Sequence, residues 1–370
     1  MQRVIPVGKP LFGDVESAYL HQALISGRVT MGQMVELFES MLRHHFGHDV
    51  HVVSCSSGTA ALHLVLASYD FGSEDEILVP DLTYIASANA VTYVGARVVL
   101  VDVDPQTWTL DIEDCKRKIS NNTAAIMPVH LYGMPCNMLE IEEFAEEHDL
   151  IIIEDAAEAL GAAFEGMPCG LMGNAGCFSF YGNKLITTAE GGCIVTHDES
   201  LAADLRLRRG QGQSLERKFY HECLGFNYRM SDLHAAIGVA QLSRLPDFIE
   251  DRERVFKLYN AALYLPRQKP PSAAYQVAPW LYTVLLQHEA QRDFVATNLA
   301  AHGIETRPVF VPLHRQPMYE RPDDQFPISS HLADRGLSLP TYVGLTSADV
   351  ARIADAVNAC LVPQLRIAKG

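Results

Sequence analysis

The sequence predicts an α/β fold in which a mostly parallel central sheet is covered by helices, followed by a smaller C-terminal α+β domain. Two observations carry this. Between residues 51 and 154, short apolar segments alternate with helical segments of about 10 residues, as βα units on a doubly covered sheet do. After Gly192 the alternation lapses into a long helical region, a Pro- and Ala-rich loop (KPPSAAYQVAP) and a mixed pattern of strand and helix. In such a sheet the crossovers are right-handed, and ligands collect at the carboxyl ends of the strands.

Residues 1–50 form an N-terminal arm. An apolar pattern through Val15, Tyr19 and Ala23 reads as a helix stopped by Ser26-Gly27, and a second helix is expected over 33–45. The loop between them, GRVTMG, carries Arg28. Strands are expected at 52–54, 77–79, 97–103, 125–129 and 150–154, and helices at 59–68, 85–94, 111–119 and 138–148. A strand over 193–197 and a helix over 201–209 lead into the polar segment GQGQSLERKFYHE. A helical region over 231–263 is interrupted at Pro246, which lacks the N–H a helix interior needs. The domain boundary is placed there, giving a large domain over 1–245 and a small one over 246–370. In the small domain, strands are expected over 280–286 and in TRPVF, and helices over 291–302 and 347–361.

Composition excludes several functions. The 370 residues carry 29 basic and 45 acidic side chains, a net charge of −16, which argues against a general nucleic-acid or anionic-membrane surface. The opening MQRVIPVGKPLFGDVE has no apolar core of the secretory type, and no uncharged apolar run is long enough to span a membrane. Eight scattered cysteines without a C-x-x-C pair read as free thiols in a reducing cytoplasm. The histidines show no tight ligand spacing, so no metal is expected.

Three stretches carry chemistry. In GCFSFYGNKLITTAEGG an alternating apolar run delivers Lys184 to a bend rich in small residues, where backbone approaches a ligand closely. Such a lysine is either a solvated turn charge or an amine kept for chemistry. Ser56-Ser57-Gly58-Thr59 lies between a strand and a helix, where unpaired N–H groups suit a phosphate and the hydroxyls serve equally as helix caps. Neither Walker A nor G-x-G-x-x-G is present. Glu154-Asp155-Ala156-Ala157-Glu158 ends the strand Ile151-Ile152-Ile153; an acid there caps the next helix or holds a cationic ring nitrogen. A lysine, an acid on the same sheet edge and a phosphate nest are what pyridoxal phosphate requires.

The segments SSGTAALHL, PDLTYIASANAV, EDAAEALG, SFYGNKLITTAEGG and GFNYRMSDLHAA together resemble the DegT/DnrJ family of nucleotide-sugar aminotransferases, in order and spacing over essentially the whole chain. The resemblance implies the aspartate-aminotransferase type of fold (fold type I), pyridoxal 5′-phosphate as cofactor, and a homodimer with active sites at the subunit interface. It assigns Lys184 to the bond with the cofactor, Asp155 to the pyridine nitrogen and Tyr84 to stacking on the ring. Ser57, Gly58, Thr59, Ala60 and Ser179 fall at phosphate-binding positions, and Asn227 matches an asparagine that reaches the phosphate from the neighbouring subunit. Glu158 stands where many members have glutamine, which leaves the contact to the ring hydroxyl open. Ala189 replaces a commoner glycine.

The form N-K-x-I-T-T-x-E-G-G is that of members that aminate C4, and GFNYRMSDL resembles the GDP-perosamine synthase branch. The implied substrates are L-glutamate and an NDP-4-keto-6-deoxyhexose, GDP foremost. A branch with histidine for the lysine performs dehydration, so a pyridoxal-phosphate-dependent dehydratase or isomerase on a similar sugar is the alternative; Lys184 favours transamination. The nucleotide diphosphate needs cations, for which Arg28, Arg229, Arg307 and His314 are candidates, surface ion pairs being the competing account.

Overall fold

Helices α1 (Asp14–Ile25) and α2 (Gln33–Phe46) precede the sheet in this computed structural model, which describes residues 4–214 and 216–361. Residues 1–3 and 362–370 of the domain assignments lie outside the described residues. The alternating region then runs β1 (His51–Cys55), α3 (Gly58–Ser68), β2 (Glu76–Pro80), α4 (Ala86–Tyr93), β3 (Arg97–Val101), α5 (Ile112–Lys118), β4 (Thr123–Ile126), α6 (Met138–His148) and β5 (Ile151–Asp155). A small hairpin, β6 (Ala163–Phe164) and β7 (Met167–Pro168), precedes β8 (Ala175–Ser179) and β9 (Gly192–Thr196).

Seven strands form one sheet in the order β1-β9-β8-β5-β4-β2-β3. The pairs β2/β3, β2/β4, β4/β5 and β5/β8 are parallel; β9 runs antiparallel to both β8 and β1. The first strand is thus separated in space from the second by four strands, β9, β8, β5 and β4, a crossover that no local pattern encodes. Helices cover both faces. One core packs α3, α4 and α7 (Glu199–Arg209) on the sheet through Leu64, Val65, Ala90 and Leu205. Another packs α2 and α8 (Asp232–Leu242) through Phe38, Leu42 and Val239. The strands are apolar on both faces because both are buried.

At Pro246 the chain breaks between α8 and α9 (Leu245–Ala262), with the proline in the first turn, where its missing N–H costs nothing. The helix spans two cores: Leu245 and Phe248 pack with the large sheet's helices, Val255 and Tyr259 with the C-terminal segment. That segment holds β10 (Tyr275–Gln276), β11 (Tyr282–Leu285), α10 (Glu289–Ala301), β12 (Arg307–Pro308), α11 (Pro327–Arg335), β13 (Gly336–Leu339) and α12 (Ser347–Leu361). Its three-stranded antiparallel sheet has the order β11-β13-β12, while β10 joins the β6/β7 hairpin. Helix α11 and strand β13 follow no periodicity the sequence displays clearly, and the TRPVF strand shrinks to two residues because Pro308 limits its pairing. The N-terminal arm also crosses over: Ile5 pairs with Ile304 and is buried in the C-terminal core.

Candidate active site

A cleft of ≈ 460 Å³ opens at the carboxyl ends of β1, β5 and β8, lined by Ser57, Tyr84, Asp155, Lys184, Trp280 and Arg307 among others. Gly58, Thr59, Glu158 and Ser179 also face it.

Lys184 comes from the connection between β8 and β9. Phe180 and Gly191 continue the pairing beyond the strands (N–H to O, 2.9 Å), and Thr187 and Thr188 both donate to the Phe180 carbonyl (2.9 Å each). Ala189 sits at φ 70°, in the left-handed region, which explains why a glycine is easier there. Lys184 Nζ lies 3.4 Å from Glu158 Oε1 and 4.1 Å from the centroid of the Trp280 ring.

Asp155 closes β5 and is 5% exposed. Ser87 Oγ donates to its Oδ2 (2.7 Å), and the Ala157 N–H to its Oδ1 (3.1 Å). Burial pushes its carboxyl up; Ser87, Ala157 and the Lys184 charge pull it back. A buried carboxylate placed at the cleft in this way suits a cationic ring nitrogen. Glu158 is likewise pushed up by burial, against the pull of Lys184, and it accepts the Tyr132 N–H at 2.8 Å. Tyr132 meets it from a tight turn at φ 55°. The neighbouring acid Glu154 has a different task. It accepts N–H bonds from Gly170 (2.6 Å), Met172 (2.7 Å) and Gly173 (2.6 Å) and pairs with His130 Nε2 (2.9 Å), which ties β5 to the loop before β8.

The start of α3 leaves the N–H groups of Gly58 and Thr59 without intrahelical partners, while Ser57 Oγ caps the helix by accepting from Ala60 N–H at 3.1 Å. Ser57 thus caps the helix while also lining the cleft. Ala60 is 4% exposed, and its N–H donates to Ser57 Oγ. Gly58 is required by space, since a Cβ there would stand 2.8 Å from the Ser179 Cβ. Gly58→Ala is expected to cost about 1–3 kcal/mol in a thermal or denaturant melt and to weaken cofactor retention.

Tyr84 is 58% exposed at the cleft, its ring centroid 5.7 Å from that of Phe310. Of the proposed cations only Arg307 lines the cleft. Arg28, Arg229 and Asn227 are exposed and do not line it. His314 is corrected: its ring is fully buried, Nδ1 on Asp81 (2.7 Å) and Nε2 on Asp323 (2.8 Å), so neither nitrogen is free for a diphosphate. Burial pushes the imidazole down, but the two aspartates outweigh it and raise it above 6.5. A raised histidine contributes stability fully present below the unfolded value and lost as pH rises through the folded one. Melts from about pH 5 to 9 should show that loss, and His314→Ala, which strands Asp81, should cost about 3 kcal/mol or more.

Sequence reasoning missed Trp280, Phe310, Ser87 and Arg252. Arg252 is buried on α9, which pushes its guanidinium down to about 10. It donates to the carbonyls of Trp280 (3.0 Å) and Lys184 (3.2 Å). Ser87 lay inside the PDLTYIASANAV motif and Phe310 inside the TRPVF strand, but neither was singled out. Among the described residues no group of three or more His, Cys, Asp or Glu is placed to hold a metal.

The donor set fits pyridoxal phosphate. Lys184 offers the amine, Asp155 a buried acid for the ring nitrogen, and Gly58, Thr59 and Ser179 an anion cradle at a helix start. Comparison with known proteins agrees. The chain is 44% identical over 366 residues to a GDP-perosamine synthase of Caulobacter vibrioides, covering 97% of this chain and 98% of the relative. It is 38% identical to a GDP-perosamine synthase of Escherichia coli O157:H7, over 96% and 98% of the two chains. Among solved structures, S. venezuelae DesV in complex with a ketimine intermediate superposes with a TM-score of 0.87 at 34% identity, over 93% of each chain. The aminotransferase TlmJ of Streptoalloteichus hindustanus gives 0.91 at 29% identity, covering 96% of this chain and 98% of that one. Residues 12–358 match the DegT/DnrJ/EryC1/StrS aminotransferase family, and the chain belongs to that family of pyridoxal-phosphate-dependent sugar aminotransferases.

Proposed function

We propose that this aminotransferase moves the amino group of L-glutamate to C4 of an NDP-4-keto-6-deoxyhexose, with GDP as the nucleotide, in the cytoplasm. The observation that carries the reading is the near-full-length similarity to two GDP-perosamine synthases, joined to an intact Lys184 in the cleft. Among the described residues no helix is long and apolar enough to cross a membrane.

When bound, pyridoxal phosphate supplies a carbonyl for amine exchange and a ring that draws electrons from the substrate carbon. With the cofactor bound, Lys184 Nζ would carry the proton from the substrate Cα. Asp155 keeps the ring nitrogen protonated, held in place by Ser87 and Ala157. Gly58, Thr59 and Ser179 would hold the phosphate, and Tyr84 would stack on the ring. Glu158 would sit near the ring hydroxyl, beside Lys184. Arg307 holds one side of the nucleotide diphosphate. Arg28, Asn227 and Arg229, exposed on this chain, serve the site of the partner subunit in a homodimer with shared active sites. The large domain over 1–245 holds the cofactor; the small domain over 246–370 supplies Arg307 and Trp280.

Incubation with L-glutamate and GDP-, UDP- and dTDP-4-keto-6-deoxy sugars in competition tests the reading. The expected result is 2-oxoglutarate and an amino sugar, fastest with GDP. A sugar altered without new nitrogen, with no glutamate consumed, would point to a dehydratase or isomerase instead.

A further inference from the structure

Trp280 is 3% exposed, yet its ring forms part of the cleft wall and lies 4.1 Å from Lys184 Nζ. Three contacts fix the ring. Its Nε1–H donates to the Asn183 carbonyl (2.9 Å), its own carbonyl accepts from Arg252 Nη1 (3.0 Å), and Tyr132 packs beside it with centroids 5.8 Å apart. Arg252 Nη2 also holds the Lys184 carbonyl (3.2 Å), so one buried guanidinium ties the lysine backbone to the indole. An indole face attracts a cation through its ring quadrupole, the more so out of water. Glu158 approaches Nζ at 3.4 Å, but its carboxylate is also engaged by the Tyr132 N–H.

We propose that Trp280 is a catalytic residue whose indole face stabilises positive charge on Lys184 Nζ when the lysine, not bonded to the cofactor, holds a proton. The proposal rests on the transamination reading. In the proton-transfer step the substrate Cα–H bond breaks, an N–H bond forms on Nζ, and the electron pair of the broken bond passes into the conjugated ring. Positive charge grows on Nζ as this happens, and the indole face stabilises it. The same face holds back the free amine needed to capture pyridoxal phosphate. Trp280 therefore slows one step and speeds the other.

The chain has two tryptophans, so the test uses a Trp108→Phe background with Trp280 as tryptophan, 5-fluorotryptophan or trifluorotryptophan, which weakens the face at nearly constant shape. Two rates are read: capture of pyridoxal phosphate by the apo-protein, from its visible absorbance, and exchange of the glutamate Cα hydrogen for deuterium by the holoenzyme. Capture is expected to quicken and exchange to slow, each by about threefold or more across the series. Trp280→Leu should move both further in the same directions, and Trp280→Phe should restore most of each. If Trp280→Leu fails to fold, the fluorinated series decides alone. Both rates falling together, or neither moving, overturns the proposal. Unsubstituted protein that neither captures the cofactor nor exchanges the hydrogen would instead reject transamination itself.

Discussion

Lys184→Ala is expected to abolish transamination, lowering turnover by about 10⁴-fold or more, because one amine provides both the bond to the cofactor and the proton carrier. Alanine removes the two roles together, and no neighbour replaces them. The acids Asp155 and Glu158 are present, but both are buried carboxyls engaged by N–H or hydroxyl donors. The fold should survive, since among the described residues Lys184 Nζ contacts Glu158 and the Trp280 ring and otherwise acts on Asp155 through its charge alone. Protein mixed with pyridoxal phosphate should therefore melt as the parent does but form no coloured covalent adduct that borohydride fixes. Retained turnover in this variant would reject the assignment.

Asp155→Asn is expected to lower turnover by about 10²–10³-fold while leaving the cofactor bound. Asparagine fills the same space and keeps an acceptor for Ser87 or Ala157, so packing changes little. What disappears is the negative charge that keeps a proton on the ring nitrogen. Without it the ring no longer draws electrons from the substrate carbon, and proton removal slows. The expected signature is slower Cα hydrogen exchange with nearly unchanged affinity for glutamate. Ser87→Ala should act in the same direction more weakly, since it removes one hydrogen bond and leaves the charge. Turnover of Asp155→Asn within threefold of the parent would mean that the acid serves only to cap the turn after β5.

The order of elements and the candidate reacting groups were legible because each depends on neighbours in sequence. The apolar runs at 77–79 and 151–153 have to be strands buried on both faces, and Pro246 has to interrupt a helix. The pair Ser57-Gly58 marks a helix start, and Lys184 stands in a bend that small residues permit. His314 was not legible. Its motif, VPLHRQP, resembles an exposed polar loop, but Asp81 and Asp323 bury its ring from 233 and 9 residues away along the chain. Glu154 and Asp155 look equivalent in sequence, and alternation along β5 sends one to the backbone amides before β8 and the other to the cleft.

By itself the sequence pointed to an amine, an acid and a helix start as candidates, and the fold brings Lys184, Asp155 and Gly58 to one cleft. Periodicity and residue type act over a few positions, and these groups announce themselves at that range. Only the tertiary structure decided what surrounds them. The antiparallel placement of β9, the indole under Nζ, the guanidinium behind it and the burial of His314 all join residues far apart in the chain. Such contacts come from packing and the pairing of buried charge, which no local pattern records.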